Sequence, residues 1–134
     1  MPLQILDLPP EHAALAAVAY LMVKHAAADF LLQTENQRRE KGIYGKPGGL
    51  THAATHIALT APVFLALPNV TASLIAGLLG LEFIIHYHID WVKEQLVRRN
   101  NWTSRDTPFW WAIGIDQMLH GLTYIGLLWI AFGA

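Results

Sequence analysis

Long apolar runs alternate with short polar ones along this chain. Apolar residues dominate 13–23, 57–67, 70–85 and 121–134, and polar residues gather at 34–50 and 99–107. The pattern predicts helices over 10–33, 51–67, 70–98 and 107–132, joined by two polar loops and a tight break at Pro68-Asn69. Pro9-Pro10 followed by Glu11 suits a helix start, because proline tolerates the first turn and a carboxylate favours the positive end of the helix dipole. Thr107-Pro108 opens the last helix in the same way, and Pro62 marks an expected kink. Period-two alternation of Val, Ile and Thr is nowhere sustained, which argues against strands. The predicted fold is all-α, a four-helix bundle forming one domain over 1–134.

Composition indicates what surrounds the bundle. Apolar residues make up 54% of the 134 and charged residues 14%, against about 25% charge in an average soluble domain. Segments 57–67, 70–81 and 121–134 carry no charge on any face, whereas a soluble bundle keeps a polar stripe on every helix. Trp91, Trp102, Trp110 and Trp111 lie near the polar-loop ends and Trp129 near the opposite end, as in interfacial aromatic belts. The expected setting is therefore a lipid bilayer spanned by four helices. None is a clean apolar span, since 10–33 contains Lys24, His25 and Asp29 and 70–98 contains Glu82. Eight of the nine basic residues fall in 38–46 and 93–105. By the positive-inside rule the polar loops are cytoplasmic and both termini lie outside, in a multi-pass protein of the inner (cytoplasmic) membrane. Residues 1–12 hold no Lys or Arg, so no secretory signal is expected there.

Charge and cysteine usage narrow the function classes. A net charge of −1 without a long basic stripe argues against a nucleic-acid partner. The lack of cysteine excludes a disulfide scaffold and thiolate metal sites. So much outward apolar surface favours a homo-oligomer.

The chemistry lies in four pairs at i,i+4 spacing: His25/Asp29, His52/His56, His86/Asp90 and Asp116/His120. Residues four apart share a helix face, one turn above the other. Each predicted helix carries one pair, more than 7 His and 5 Asp would scatter by chance. Because successive helices alternate direction, all eight residues fall in the loop-side half of the bundle, in a layer about 10–15 Å thick. Imidazole with carboxylate and no thiolate is the ligand set of zinc, manganese, iron or nickel, and facing helices of a bundle are a natural place to assemble it. The expected cofactor is one or two divalent transition-metal ions, zinc first. A purely structural layer of His–Asp hydrogen bonds is the other reading of the same residues.

Further polar residues extend these faces. Glu82 lies one turn deeper than His86 and Asp90, where it suits a general acid or base, or is neutralised by Lys24, or is simply protonated. Gln33 continues the His25/Asp29 face and Lys93 the His86/Asp90 face. Either is placed to orient a phosphate or carboxylate, and Lys93 also has the reach to snorkel to the interface. Gln117 neighbours Asp116. His12 reads as ordinary surface. His88, about 200° around the helix from His86, reads as a loop-side or interface residue.

The series His25-x3-Asp29-Phe30-x2-Gln33, His52-x3-His56, His86-x3-Asp90-x2-Lys93 and Asp116-Gln117-x2-His120 resembles the bacterial and phage integral-membrane family called domain of unknown function 3307, over about 15–125. The resemblance implies the architecture and the polar positions, and no substrate. More distantly, the arrangement is similar to bacterial membrane-bound metal-dependent hydrolases, which implies hydrolysis at a His/Asp metal centre. His88 is not part of the resemblance.

Two function classes follow. In the first, the protein is a membrane-embedded metal-dependent hydrolase at the cytoplasmic leaflet, acting on a small amphiphile such as a lipid ester or phosphoester. A proton acceptor would come from Asp90, Asp116 or Glu82, and Lys93 or Gln33 would hold the anionic group. In the second, it is not an enzyme but an ion, proton or metal carrier, or an interaction subunit, with the His/Asp layer structural. The outer half of the helices offers only Thr, Ser and Tyr hydroxyls, which favours a closed pocket over a conductor. A soluble His/Asp phosphohydrolase would instead purify without detergent.

Overall fold

The computed structural model describes residues 8–134, so the first seven residues of the stretch read for a targeting signal lie outside the described residues. Five helices form: α1 (Pro10–Phe30), α2 (Glu35–Glu40), α3 (Pro47–Ala66), α4 (Ala72–Arg99) and α5 (Thr107–Gly133). The fold is all-α, with no strand among the described residues.

The helix count differs from the expected four because 34–50 is not simply a loop. Thr34 and Gln37 form a reciprocal capping box: Gln37 N donates to Thr34 Oγ1 at 3.2 Å, and Thr34 N to Gln37 Oε1 at 3.0 Å. That pair nucleates α2. Pro47 then begins α3, where its missing N–H costs nothing. Gly48 N, one of the orphan donors of that first turn, donates to Glu40 Oε2 at 2.7 Å.

Each long helix packs on the long helices adjacent in the chain, and α5 closes the ring against α1. Both polar connections lie at one end. Arg98 Nη2 donates to Arg39 O at 2.7 Å and Gln95 Nε2 to Gly42 O at 2.6 Å, tying the α2 region to the end of α4. Gly45, at φ +76°, donates its N–H to Tyr87 Oη at 2.7 Å. In the other connection, the Thr103 N–H and hydroxyl on Asp106 hold that carboxyl below its ordinary range. At the far end the chain turns through Asn69, at φ 67°, and Thr71 caps α4.

Two helices, α1 and α4, are long and apolar enough to cross a membrane by length and composition, rather than the four expected. The other two are diluted by the site itself: α3 opens on Pro47-Gly48-Gly49 with His52 and His56 close behind, and α5 carries Asp116, Gln117 and His120.

Polarity is distributed inside out. Lys24, His25, His52, His56, Thr60, Glu82, His86, Asp90, Asp116 and His120 are buried. Exposed side chains include Val23 (70%), Leu65 (70%) and Trp129 (80%). An apolar core does exist, around Leu21, Phe64, Leu78, Tyr124, Leu127 and Leu128. It lies beyond the polar layer, toward the end away from the polar connections.

Candidate metal centre

Four helices deliver the eight residues to one place. The i,i+4 repeat stacks each pair on the inward face of its helix, and the imidazoles come together with ring centroids 4.0 Å apart for His56/His86, 4.1 Å for His86/His120 and 4.7 Å for His25/His120. Two carboxylates thread between them. Asp29 approaches Nε2 of His25 (3.1 Å), His52 (3.2 Å) and His56 (3.1 Å). Asp90 approaches Nε2 of His52 (3.3 Å), His86 (3.4 Å) and His120 (3.3 Å). Asp116 Oδ1 lies 3.6 Å from His120 Nε2.

These distances are only partly hydrogen bonds. His56 and His120 bond through Nε2 to Asp29 and Asp90. Nε2 of His25, His52 and His86 has a carboxylate oxygen at contact distance and yet no hydrogen-bond partner, and Nδ1 of His52, His56 and His86 has no partner either. A buried polar atom left unpaired costs about 1–3 kcal/mol, so six such nitrogens in one layer require an explanation. The spacing supplies one for four of them, one ligand atom from each of His25, His52, His56 and His86. Ligand atoms about 2.1 Å from a shared zinc-like ion stand about 3.0–3.4 Å from one another along the edges of its coordination polyhedron, and the nitrogen–carboxylate separations here match that edge. The residues fall into overlapping triads: His25/His56/His86, Asp29/His52/His56, His52/His86/Asp90 and Asp90/Asp116/His120. The donor set fits a borderline divalent metal.

The other predicted site residues divide. Glu82 does not face the imidazole layer's opening. Its Oε1 accepts from Lys24 Nζ (3.2 Å) and Thr60 Oγ1 (2.8 Å), the lysine partner that the sequence offered for it. Gln33, Lys93 and Gln117 line a cavity of about 430 Å³ that opens beside Asp29 and Asp116 at the polar-connection end. Gln117 Nε2 donates to Asp29 Oδ2 (3.0 Å) and Asp116 Oδ2 (3.1 Å), fixing both carboxylates. Lys93 pairs with Glu94 at 2.8 Å. His12 is exposed, and His88 bonds to Tyr44 Oη (2.9 Å) and Ile84 O, outside the layer.

Sequence reasoning missed four contributors and part of the role of a fifth. Tyr124 Oη lies 2.8 Å from His25 Nδ1 and orients that ring. Thr60 and Tyr124 each stand four residues beyond a site histidine, so extending the stripes to 52/56/60 and 116/120/124 would have found them. Lys24, read only as a neutraliser of Glu82, also donates to His56 O at 3.1 Å. Arg38 and Lys41 reach the cavity from α2, a placement that no helical period in the sequence announces.

The profile of the family described as protein of unknown function (DUF3307) matches residues 17–132. The chain belongs to this family. The matched stretch of this DUF3307 chain contains all eight His/Asp residues, together with Lys24, Thr60, Glu82 and Tyr124. No curated protein and no solved structure matches the chain.

Proposed function

We propose that this chain is a four-span membrane bundle housing a metal centre of one or two divalent ions, zinc first, that hydrolyses an amphiphilic ester at the cytoplasmic leaflet of the inner membrane. The inside-out distribution supports the bilayer. Besides α1 and α4, helix α5 exposes Trp110, Trp111, Ile115, Met118, Leu122, Ile125 and Trp129, a surface that water would penalise and lipid would not.

The observation that carries the reading is the set of unpartnered buried imidazole nitrogens, with Nε2 of His25, His52 and His86 at 3.1–3.4 Å from Asp29 or Asp90, the spacing of neighbouring ligands on one ion. His25, His52, His56, His86, His120, Asp29, Asp90 and Asp116 would hold the metal. When bound, it would bring a water's pKa to near neutral and polarise a carbonyl or phosphoryl oxygen. The chain's own residues do the rest. Asp29 and Asp90 fix the imidazoles. Asp116, on the cavity wall with Oδ1 unpartnered, is the group best placed to take a proton. Gln117 holds Asp116, and Lys93 and Gln33 face the substrate space. The apolar core around Leu21, Phe64 and Leu128 closes the far end, which supports a pocket rather than a conducting path.

The second reading, a structural hydrogen-bonded layer, is favoured by the two bonds His56–Asp29 and His120–Asp90. Hydrolysis separates the two. Detergent-solubilised protein should cleave lipid-like carboxylic or phosphate esters, lose the activity to a chelator and regain it with zinc. Asp116→Asn should lower the rate by about 10²-fold or more, through lost proton transfer together with a weakened metal ligand. Wild type that hydrolyses no ester faster than His56→Ala would refute the hydrolase.

A further inference from the structure

Lys41 closes α2 and is only 9% exposed. Its burial is built by two glycines. A Cβ on Gly49 would stand 3.2 Å from Lys41 Cα and 3.2 Å from Tyr87 Cε2, and one on Gly48 would stand 2.7 Å from Glu40 Cβ and 2.8 Å from Asn36 O. Their absence lets the end of α2 lie directly on α3, and the Lys41 side chain joins the cavity wall beside the His/Asp layer. Lys24, Arg38, Lys93 and Arg98 each have a carboxylate partner. Among the described residues nothing pairs with the Lys41 ammonium. The aliphatic stem is packed against α3 while the ammonium, free of any carboxylate, faces an open cavity at the mouth of the candidate centre.

We infer that the cavity is a phosphoryl-binding site: Lys41, supported by Lys93 and Arg38, receives the phosphoryl group of the substrate. This rests on the hydrolase reading and names its substrate class. The walls favour phosphoryl over carboxylate. Lys41 and Arg38 come from α2, Asp29 and Asp116 bring the metal centre to other sides of the same space, and the one further carboxylate on the wall, Glu94, is held by Lys93 at 2.8 Å. A tetrahedral phosphoryl group has oxygens for both, whereas a carboxylate presents two oxygens along one edge. Lys93 also borders an apolar groove between α4 and α5, lined by Ile85, Ile89, Ile115 and Leu119. A lipid headgroup and a soluble phosphate ester can therefore both present this group.

The test is calorimetric titration of the purified, detergent-solubilised protein with inorganic phosphate. Wild type should bind saturably, and Lys41→Met should bind at least about tenfold more weakly, as expected for loss of one charge-assisted contact. Lys41→Arg should stay within about threefold of wild type, and Lys46→Met, an exposed cation outside the cavity, should match wild type. Displacement of phosphate by phosphatidic acid, and not by diacylglycerol, would support the site with a lipid headgroup as its source. Lys41-dependent phosphate binding that phosphatidic acid leaves untouched would support it with a soluble phosphate ester. Equal affinity of wild type and Lys41→Met would overturn the site, and so would acetate binding as tight as phosphate. Elemental analysis of the same samples separates the two failures. Metal without Lys41-dependent phosphate binding refutes the anion site alone; such binding without metal refutes the metal centre and leaves the anion site standing.

Discussion

A glutamate among Leu81, Phe83 and Ile84 is tolerable because Lys24 and Thr60 meet it, and Lys24 is in turn held by His56 O and lies 4.6 Å from the centre of the Tyr124 ring. Both charged side chains are almost wholly shielded from solvent. Removing one partner of such a pair strands the other charge, at a cost of about 3–5 kcal/mol, whereas replacing both by apolar groups is often neutral. Glu82→Gln should therefore lower the thermal stability of the detergent-solubilised protein by an amount in that range, and Lys24→Met/Glu82→Leu should recover most of it. A Glu82→Gln protein as stable as wild type would show that the pair holds little of the fold together. Were Glu82 without a partner, the expectation would be the opposite, since deleting an isolated desolvated carboxylate would raise stability. Lys24, 58 positions away in the chain, reverses the sign.

At the scale of the elements, α2 is the piece whose placement matters most for the mouth of the site. Gly48→Ala would drive a methyl group to 2.8 Å from the backbone oxygen of Asn36, an atom that cannot rotate away. Chemical unfolding should show a loss of about 1–3 kcal/mol, the usual cost of overpacking. Gly77→Ala, on α4 with nothing within 4 Å, should gain up to about 1 kcal/mol from helix propensity. Equal effects at the two positions would mean that α2 does not press on α3. The four long helices were legible because their apolar runs and the 25/29, 52/56, 86/90 and 116/120 pairs repeat at the helical period. Thr34-x2-Gln37 also carried the capping-box signature of α2, but six polar residues followed by Pro and Gly resemble a loop by composition. The early start of α3 was hidden for a related reason. Pro47, Gly48 and Gly49 are poor helix formers taken alone, and they are helical because Pro suits the first turn and the glycines admit α2. Lys41 in the cavity is a tertiary consequence of that docking and follows no periodicity.

For the whole molecule, hydrophobic burial at one end and polar convergence at the other give the bundle two distinct halves. The apolar half, from Leu21 to Leu128, packs as an ordinary core. The polar half brings five imidazoles and three carboxylates into mutual contact, and it exposes Leu, Ile and Trp outward. That layer has six unpartnered buried nitrogens on four imidazoles, and each of those rings has one ligand atom to give to a cation. With one, metal-binding energy becomes folding energy. The most direct measurement is the elemental content of wild-type protein purified without added metal or chelator, followed by its melting temperature before and after chelation. About one or two equivalents of a divalent transition metal are expected. Chelation should lower the melting temperature, and His56→Ala and His120→Ala should each reduce the metal content while His12→Ala and His88→Ala leave it intact. Metal-free wild type with an unchanged melting temperature would contradict the metal centre and leave a hydrogen-bonded layer in its place.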